Sequence, residues 1–302
     1  MDLTVIILNW NTLEDTRKAI RSFLHFQYQH AIELIVVDNA SSDGSAVQIK
    51  AEFPSVFLLI STHNLGFGAG NNSAIAHSSG RYVLFLNSDT ELTEGALDTL
   101  ITCADSNPDI GILGPRLLNG DGSLQYSCRH FPNLGTGFFR NTPLGRLFPT
   151  NRFTQDYLMT DFDHLTHRDV DWVSGAALFI RRDLVQKLKG FDQDFYMYCE
   201  DVDLCWRAHI MGQRVVYCPD AVIYHHIGRS SDKVPARMTY HFHRSMYIFY
   251  RKHYAAQTPI WIRPLILPGL LARSIGKVVR YRWTGICRAY IKKQKGKHDH
   301  AR

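Results

Sequence analysis

Tyr82-Val-Leu-Phe-Leu-Asn-Ser-Asp89 is the stretch on which the fold turns. The apolar run Tyr82–Leu86 has no polar break, as in a strand buried on both faces, and it opens at once into Asn87-Ser88-Asp89. The same pattern occurs upstream in Thr4–Leu8, Ile32–Val37 and Val56–Ile60. Helical periodicity fills the gaps at Glu14–Phe26, Ser45–Phe53 and Ala69–His77, and Thr12 with Asp15 fits an N-terminal capping pair. Strands alternating with helices at this spacing predict an α/β fold with a parallel sheet and right-handed crossovers. Ligands of such sheets bind beyond the carboxyl ends of the strands. Polar clusters stand at those ends: Asn9-Trp10-Asn11, the run Asp38–Gly44, His63-Asn64 and Asn87-Ser88-Asp89.

Working outward, Pro115–Val170 is loop-rich and aromatic, and reads as a long excursion lying over the site. Regularity returns with a strand at Val170–Arg181, helices at Asp183–Lys189 and Glu200–Met211, and strands at Arg214–Tyr217 and Ala221–His225. A chain of 302 residues with 45% hydrophobic and 21% charged content buries a sizeable core, so disorder is not expected. The net charge of +6 is unevenly placed: ten Lys/Arg against Asp299 lie between Arg273 and Arg302, leaving the rest of the chain at −3. Basic character therefore belongs to the tail. It lacks the aromatic interleaving of a nucleic-acid surface, and no nucleic-acid partner is expected.

The six cysteines, Cys103, Cys128, Cys199, Cys205, Cys218 and Cys287, include no C-x-x-C pair and fit reduced thiols. Met1-Asp2 leads straight into a strand pattern with no basic leader or cleavage site, and a cytoplasmic chain is expected. The apolar stretch Pro259–Ala272 is short for a membrane span and is interrupted by Arg263, Pro264 and Pro268.

Each candidate site has two readings. Asp89, where a strand opens to solvent, suits a hard divalent cation or a turn cap. Asp38 ends another buried strand, where a carboxylate accepts hydrogen bonds from a ribose or base, or from its own turn. Asn64-Leu-Gly-Phe-Gly-Ala-Gly-Asn-Asn72 matches neither the dinucleotide fingerprint nor the P-loop, and suits a phosphate cradle less well than close backbone packing. Glu200 and Asp201 open a helix, complementing its dipole or supplying a base. Asp203 and Arg207 pair at i, i+4. Of His225 and His226, adjacent on a strand, only one faces any shared site.

In order, Val5-Ile-Ile-Leu-Asn-Trp-Asn11, Val37-Asp-Asn-Ala-Ser-Ser-Asp-Gly44, the Asn64–Asn72 loop, Leu86-Asn-Ser-Asp89, Trp172-Val-Ser-Gly-Ala-Ala177, Glu200-Asp-Val-Asp-Leu-Cys-Trp-Arg207 and His225-His-Ile-Gly-Arg-Ser230 resemble family 2 glycosyltransferases of the GT-A fold, in the rhamnosyltransferase-like group. The likeness covers roughly residues 3–232 and implies a catalytic domain at 1–232, followed by a basic helical extension at 233–302. It implies an inverting transfer of a sugar, with rhamnose the leading choice, from a dTDP- or UDP-linked donor to a hydroxyl of a polysaccharide or lipid-linked glycan. Donor contacts fall to Asn9, Asn11, Asp38, Asn64, Gly66, Asn87 and Ser88, with Asp38 on the nucleobase or ribose. Asp89 closes the family's D-x-D motif and, with His225, is the implied ligand of Mg2+ or Mn2+. Asn87 replaces the motif's first acid, removing one negative charge. Asp201 matches the general base beside Glu200, and Trp172 and Gly175 match the acceptor side.

The segment Trp261–Tyr290 mixes apolar and basic residues and fits either a helix on an anionic membrane, at the cytoplasmic face of the inner membrane, or a pair packed on the protein. Two other classes fit less well. A sugar nucleotidyltransferase carries a basic Gly-rich loop after its first strand, where this chain has Asn-Trp-Asn. A non-catalytic sugar-nucleotide-binding protein has no use for a base. The missing fingerprint disfavours a dehydrogenase.

Overall fold

The computed structural model describes residues 1–140, 142–226 and 235–280. The chain runs β1 (Leu3–Asn9), α1 (Leu13–His25), β2 (Ile32–Asp38), α2 (Ser45–Glu52), β3 (Phe57–Ile60), α3 (Phe67–Ile75), β4 (Tyr82–Asn87), β5 (Thr90–Leu92), α4 (Ala96–Ser106) and β6 (Ile110–Leu118). The excursion holds β7 (Leu124–Gln125), β8 (Cys128–Arg129), the short helices α5 (Leu134–Phe139), α6 (Pro143–Leu147) and α7 (Arg152–Leu158), and β9 (Arg168–Asp169). There follow β10 (Trp172–Val173), β11 (Ala177–Arg181), α8 (Arg182–Lys187), α9 (Glu200–Ile210) and β12 (Arg214–His225).

The main sheet has the order β3-β2-β1-β4-β11-β6-β12-β5, with β7 on β6 and β9 on β12. Strands β3, β2, β1 and β4 are parallel, as the alternation predicts. The sheet as a whole is mixed, because β11 inserts antiparallel between β4 and β6. The result is a mixed sheet flanked by helices, the arrangement that the GT-A resemblance implies. Val5, Ile7, Val36, Leu84 and Phe179 of the sheet, with Ala19, Ile20, Leu97 and Ile101 of the helices, form one fully buried core. Each such Val, Ile or Leu contributes roughly 1.5–3 kcal/mol by leaving water.

Four local expectations change. Strand β3 is the sheet edge, so Phe57 and Ile60 are exposed and not buried on both faces. The run Val170–Arg181 is not one strand: Ser174-Gly175-Ala176 turns the chain, so β10 pairs with β8 and β11 with β4. The two strands expected at 214–217 and 221–225 are one, β12, bent by a register shift between Cys218 and Val222. Thr12 precedes α1 without capping it, because its hydroxyl donates to Asn9 Oδ1 at 2.9 Å.

The chain divides into two compact units, Met1–Tyr196 with Glu200–Ser230, and Met197–Cys199 with Ser231–Arg302. In the second, α10 (Pro235–Phe249) ends in a π-helical turn, Tyr250–Tyr254, and a further helix, α11, covers 263–280. Within it Ser245 Oγ donates to Met197 O at 2.8 Å. Among the described residues no helix is long and apolar enough to cross a membrane.

Candidate active site

Parallel register aligns the strand ends: Asn9 stands opposite Asp38, and Asn87 opposite Leu8. Asn9 is fully buried and its amide is spent internally. Its Nδ2 donates to Asp38 Oδ1 at 2.7 Å and to Ser41 Oγ at 3.1 Å, while its Oδ1 accepts from Thr12 and Thr16. The structure thus makes Asn9 a strut that aims the Asp38 carboxylate. Ser41 N–H holds the second Asp38 oxygen at 3.0 Å. Asn11, at φ 55°, accepts from Ser42 N at 2.7 Å and fixes the facing turn.

Asn39, which sequence reasoning passed over, ties this turn to the glycine loop. Its amide donates to Asn64 Oδ1 and Gly66 O, and accepts from Leu65 N at 2.9 Å. Gly66 has φ +85°, and a Cβ there would overlap the Tyr196 carbonyl oxygen, so glycine is required. Helix α3 begins at Phe67, earlier than expected, which puts Gly68 and Gly70 inside it. They sit against Phe191 and Leu8 respectively, supporting close packing over a phosphate cradle.

At the end of β4, Asp89 and His225 converge: Asp89 Oδ1 lies 3.3 Å from His225 Nε2, and Asn87 Nδ2 is 3.4 Å from the same nitrogen. Ser88 turns away, its Oγ 2.9 Å from Thr12 Oγ1. Antiparallel pairing of His225 with Thr90 sets this meeting. His226 faces the other way and contacts Glu91 at 2.9 Å. Gln125, a residue with no motif to announce it, decides the imidazole's tautomer. Its Nε2 donates to Asn119 Oδ1 and His225 O, so its Oε1 faces His225 Nδ1 at 2.6 Å and draws the ring proton there. The Nε2 lone pair is then left beside the Asp89 carboxylate. Two donor atoms of this kind, one oxygen and one nitrogen, fit a divalent cation that takes its remaining ligands from phosphates.

Asn87 N–H donates to Ala176 O at 2.9 Å, and the adjacent Gly175 N–H donates to Asp201 Oδ2 at 2.9 Å. Asp201 is therefore linked to the Asn87–His225–Asp89 group through one dipeptide, at the start of α9. Burial pushes its carboxyl above the ordinary value, and the N–H groups of Gly175 and Val202 pull partly against that. Glu200 is buried, has no hydrogen-bond partner for Oε2, and is raised well above the ordinary value by burial and by Asp201. Its Oε2 is enclosed, and burial favours the neutral form of the carboxyl. Asp203 pairs with Arg207 at 2.7 Å, as the i, i+4 spacing predicts.

Trp172 is 6% exposed and its Nε1 donates to His130 O at 3.0 Å. The ring buttresses the excursion, with the Arg129 guanidinium 5.1 Å from its centroid. Arg129, also missed, exerts a positive potential on Asp201. Ile227 to Ser230 of the last motif, Cys287 and the basic tail beyond 280 lie outside the described residues.

The sequence model of glycosyl transferase family 2 matches residues 4–187. The chain is 32% identical over 283 residues to the N-acetylglucosaminyl-diphospho-decaprenol L-rhamnosyltransferase of Mycobacterium tuberculosis, covering 89% of this chain and 91% of that one. Its identity to rhamnosyltransferase WbbL of Escherichia coli is 30%, covering 76% of this chain and 86% of WbbL. In fold it is similar to S. aureus TarS 1–349 in complex with UDP, at TM-score 0.54 and 17% identity, covering 91% of this chain and 72% of that one. It is also similar to the mannosyltransferase PcManGT of Pyrobaculum calidifontis with GDP-Man and Mn2+, at TM-score 0.53 and 20% identity, covering 91% and 73%. The chain belongs to glycosyltransferase family 2, in its rhamnosyltransferase-like group.

Proposed function

We propose that this glycosyltransferase moves rhamnose from a dTDP-linked donor to a hydroxyl of a lipid-linked glycan, inverting the anomeric centre, with residues 1–232 as the catalytic module. The observation that carries this is the hydrogen-bonded run from Asp201 through Gly175, Ala176 and Asn87 to His225 and Asp89. It sets a base with a raised pKa beside a cation-binding pair. Asp201 takes the proton of the acceptor hydroxyl, a task that needs a pKa nearer neutrality than that of an ordinary carboxylate. Asp38, aimed by Asn9, receives a hydrogen bond from the donor's nucleoside, and Asn64 and Gly66 border the same end of the sheet. Asp89 and His225 hold Mg2+ or Mn2+, which when bound offsets the charge developing on the leaving diphosphate. The two relatives named above are rhamnosyltransferases, one with a lipid-diphosphate acceptor, which favours rhamnose and a lipid-linked glycan.

The second unit supports a membrane-surface role at the cytoplasmic face. Trp261, Leu265, Leu271, Ile275 and Val279 are exposed along 261–279 among Arg263, Arg273, Lys277 and Arg280. Apolar and basic residues so mixed suit the headgroup region of anionic lipid.

The test incubates the purified protein with dTDP-rhamnose, UDP- and GDP-sugars in turn, with a prenyl-diphosphate-linked N-acetylglucosamine acceptor. The expected result is release of dTDP from dTDP-rhamnose, stopped by EDTA and restored by Mn2+. Faster turnover of a UDP- or GDP-sugar overturns the donor, and EDTA-insensitive turnover overturns the metal. Flotation with anionic but not neutral vesicles is expected, and binding retained after removal of 259–302 overturns the membrane role.

A further inference from the structure

The first unit carries a second group of chemically active side chains that the transfer reaction does not use. Cys103 lies on α4, His167 stands directly before β9, and Cys218 is buried in β12. Antiparallel pairing of Arg168 with Tyr217 and of Asp169 with Val216 carries His167 toward Cys218. The sulfur atoms of Cys103 and Cys218 and a ring nitrogen of His167 all lie within 4.8 Å of one another. The Cys103 Sγ to His167 Nδ1 distance is 3.9 Å. Tetrahedral zinc with Zn–S of about 2.3 Å and Zn–N of about 2.0 Å separates its ligand atoms by roughly 3.5–3.8 Å, so closure needs movements below or near an ångström.

The imidazole is already oriented. Asp220, in the irregular stretch where β12 shifts register, places Oδ2 2.8 Å from His167 Nε2. The carboxylate draws the ring proton to Nε2 and leaves the Nδ1 lone pair facing the two sulfurs. A carboxylate–histidine–metal relay of this kind is the usual outer support of zinc histidines. Two thiolates and an imidazole favour a thiophilic cation over Mg2+, and three protein ligands leave one position for water.

We propose that Cys103, His167 and Cys218 form a zinc site, separate from the Asp89–His225 pair, that ties the loop before β9 to α4 and β12. Binding one zinc ion releases the thiol protons and forms two Zn–S bonds and one Zn–N bond.

Cobalt(II) is the probe, because thiolate ligands give sulfur-to-cobalt charge-transfer bands that the oxygen and nitrogen atoms of Asp89 and His225 cannot. Chelated, reduced full-length protein is titrated with Co2+. The expected result is one equivalent bound with those bands, displaced by Zn2+. The bands vanish in Cys103→Ser and His167→Ala. They persist in Asp220→Asn with affinity about 10–100-fold weaker. The substituted side chains, Cys103, His167 and Asp220, are each at least partly exposed, and transferase activity with Mn2+ is expected to be unchanged in the three variants, which shows them folded. Bands absent from the wild type, or retained in both Cys103→Ser and His167→Ala, overturn the proposal. So does a Cys103–Cys218 disulfide in the purified protein with no zinc uptake after reduction.

Discussion

Gln125 Oε1 lies 2.6 Å from His225 Nδ1, so a residue of a two-residue strand sets the chemistry of an imidazole a hundred positions away. The contact directs the Nε2 lone pair at the Asp89 side. Replacing Gln125 with Leu removes this control without touching either proposed metal ligand. Outer partners of a metal-bound histidine are worth about 10–100-fold in metal affinity. The Mn2+ concentration for half-maximal activity is expected to rise by that factor in Gln125→Leu, with activity at saturating Mn2+ near wild type. Gln125→Glu, which keeps the acceptor, is expected to restore affinity. An unchanged Mn2+ dependence in Gln125→Leu would show that the contact is only structural.

Asp201→Asn keeps an oxygen for the Gly175 N–H and loses the base. Turnover is expected to fall by about 10²–10⁴-fold, while donor affinity measured by calorimetry stays within a few fold. In the wild type, kcat is expected to rise with pH through the raised pKa of this carboxyl, since only its ionised form accepts a proton. A variant retaining a tenth or more of wild-type activity rules Asp201 out as the base.

Glu200 gives a stability test with a defined sign. Its native-state pKa is raised, so the folded protein holds a proton that the unfolded chain releases. That stability is fully present below the unfolded pKa of about 4.3 and is lost as pH rises through the folded value. Glu200→Gln cannot ionise. The difference in Tm between variant and wild type should therefore move in the variant's favour from about pH 4 to pH 9. A difference that stays constant over that range would place the Glu200 proton elsewhere.

Arg207 holds Asp203, whose side chain is 1% exposed, and also donates to the carbonyls of Leu188 and Gly190. Arg207→Met takes the guanidinium away from this buried carboxylate. The expected loss is about 3–5 kcal/mol, read from the urea midpoint. The double variant with Asp203→Leu should recover part of it.

What the sequence made legible follows from how local each signal is. The strands β1, β2 and β4 and the clusters at their ends were readable because uninterrupted apolar runs and the polar residues closing them are adjacent in the chain. Thr12 was misread as a cap because its competitor, Asn9 Oδ1, is met only once β1 and α1 are in place. The turn at Ser174–Ala176 hid inside an apolar run, because it is made by β10 and β11 choosing different partners. Gln125 and Arg129 carry no pattern of their own. Gln125 matters through His225, 100 positions away, and Arg129 through Asp201, 72 positions away.

The neighbours His225 and His226 turn β12 into a two-position selector. One imidazole joins Asp89 and the other Glu91, and the choice rests on pairing with β5. Its setting depends on the irregular stretch between Cys218 and Val222, which absorbs the mismatch against β6. Shortening that stretch by one residue would leave every side chain of the site chemically intact, yet exchange the two rings and present the wrong one.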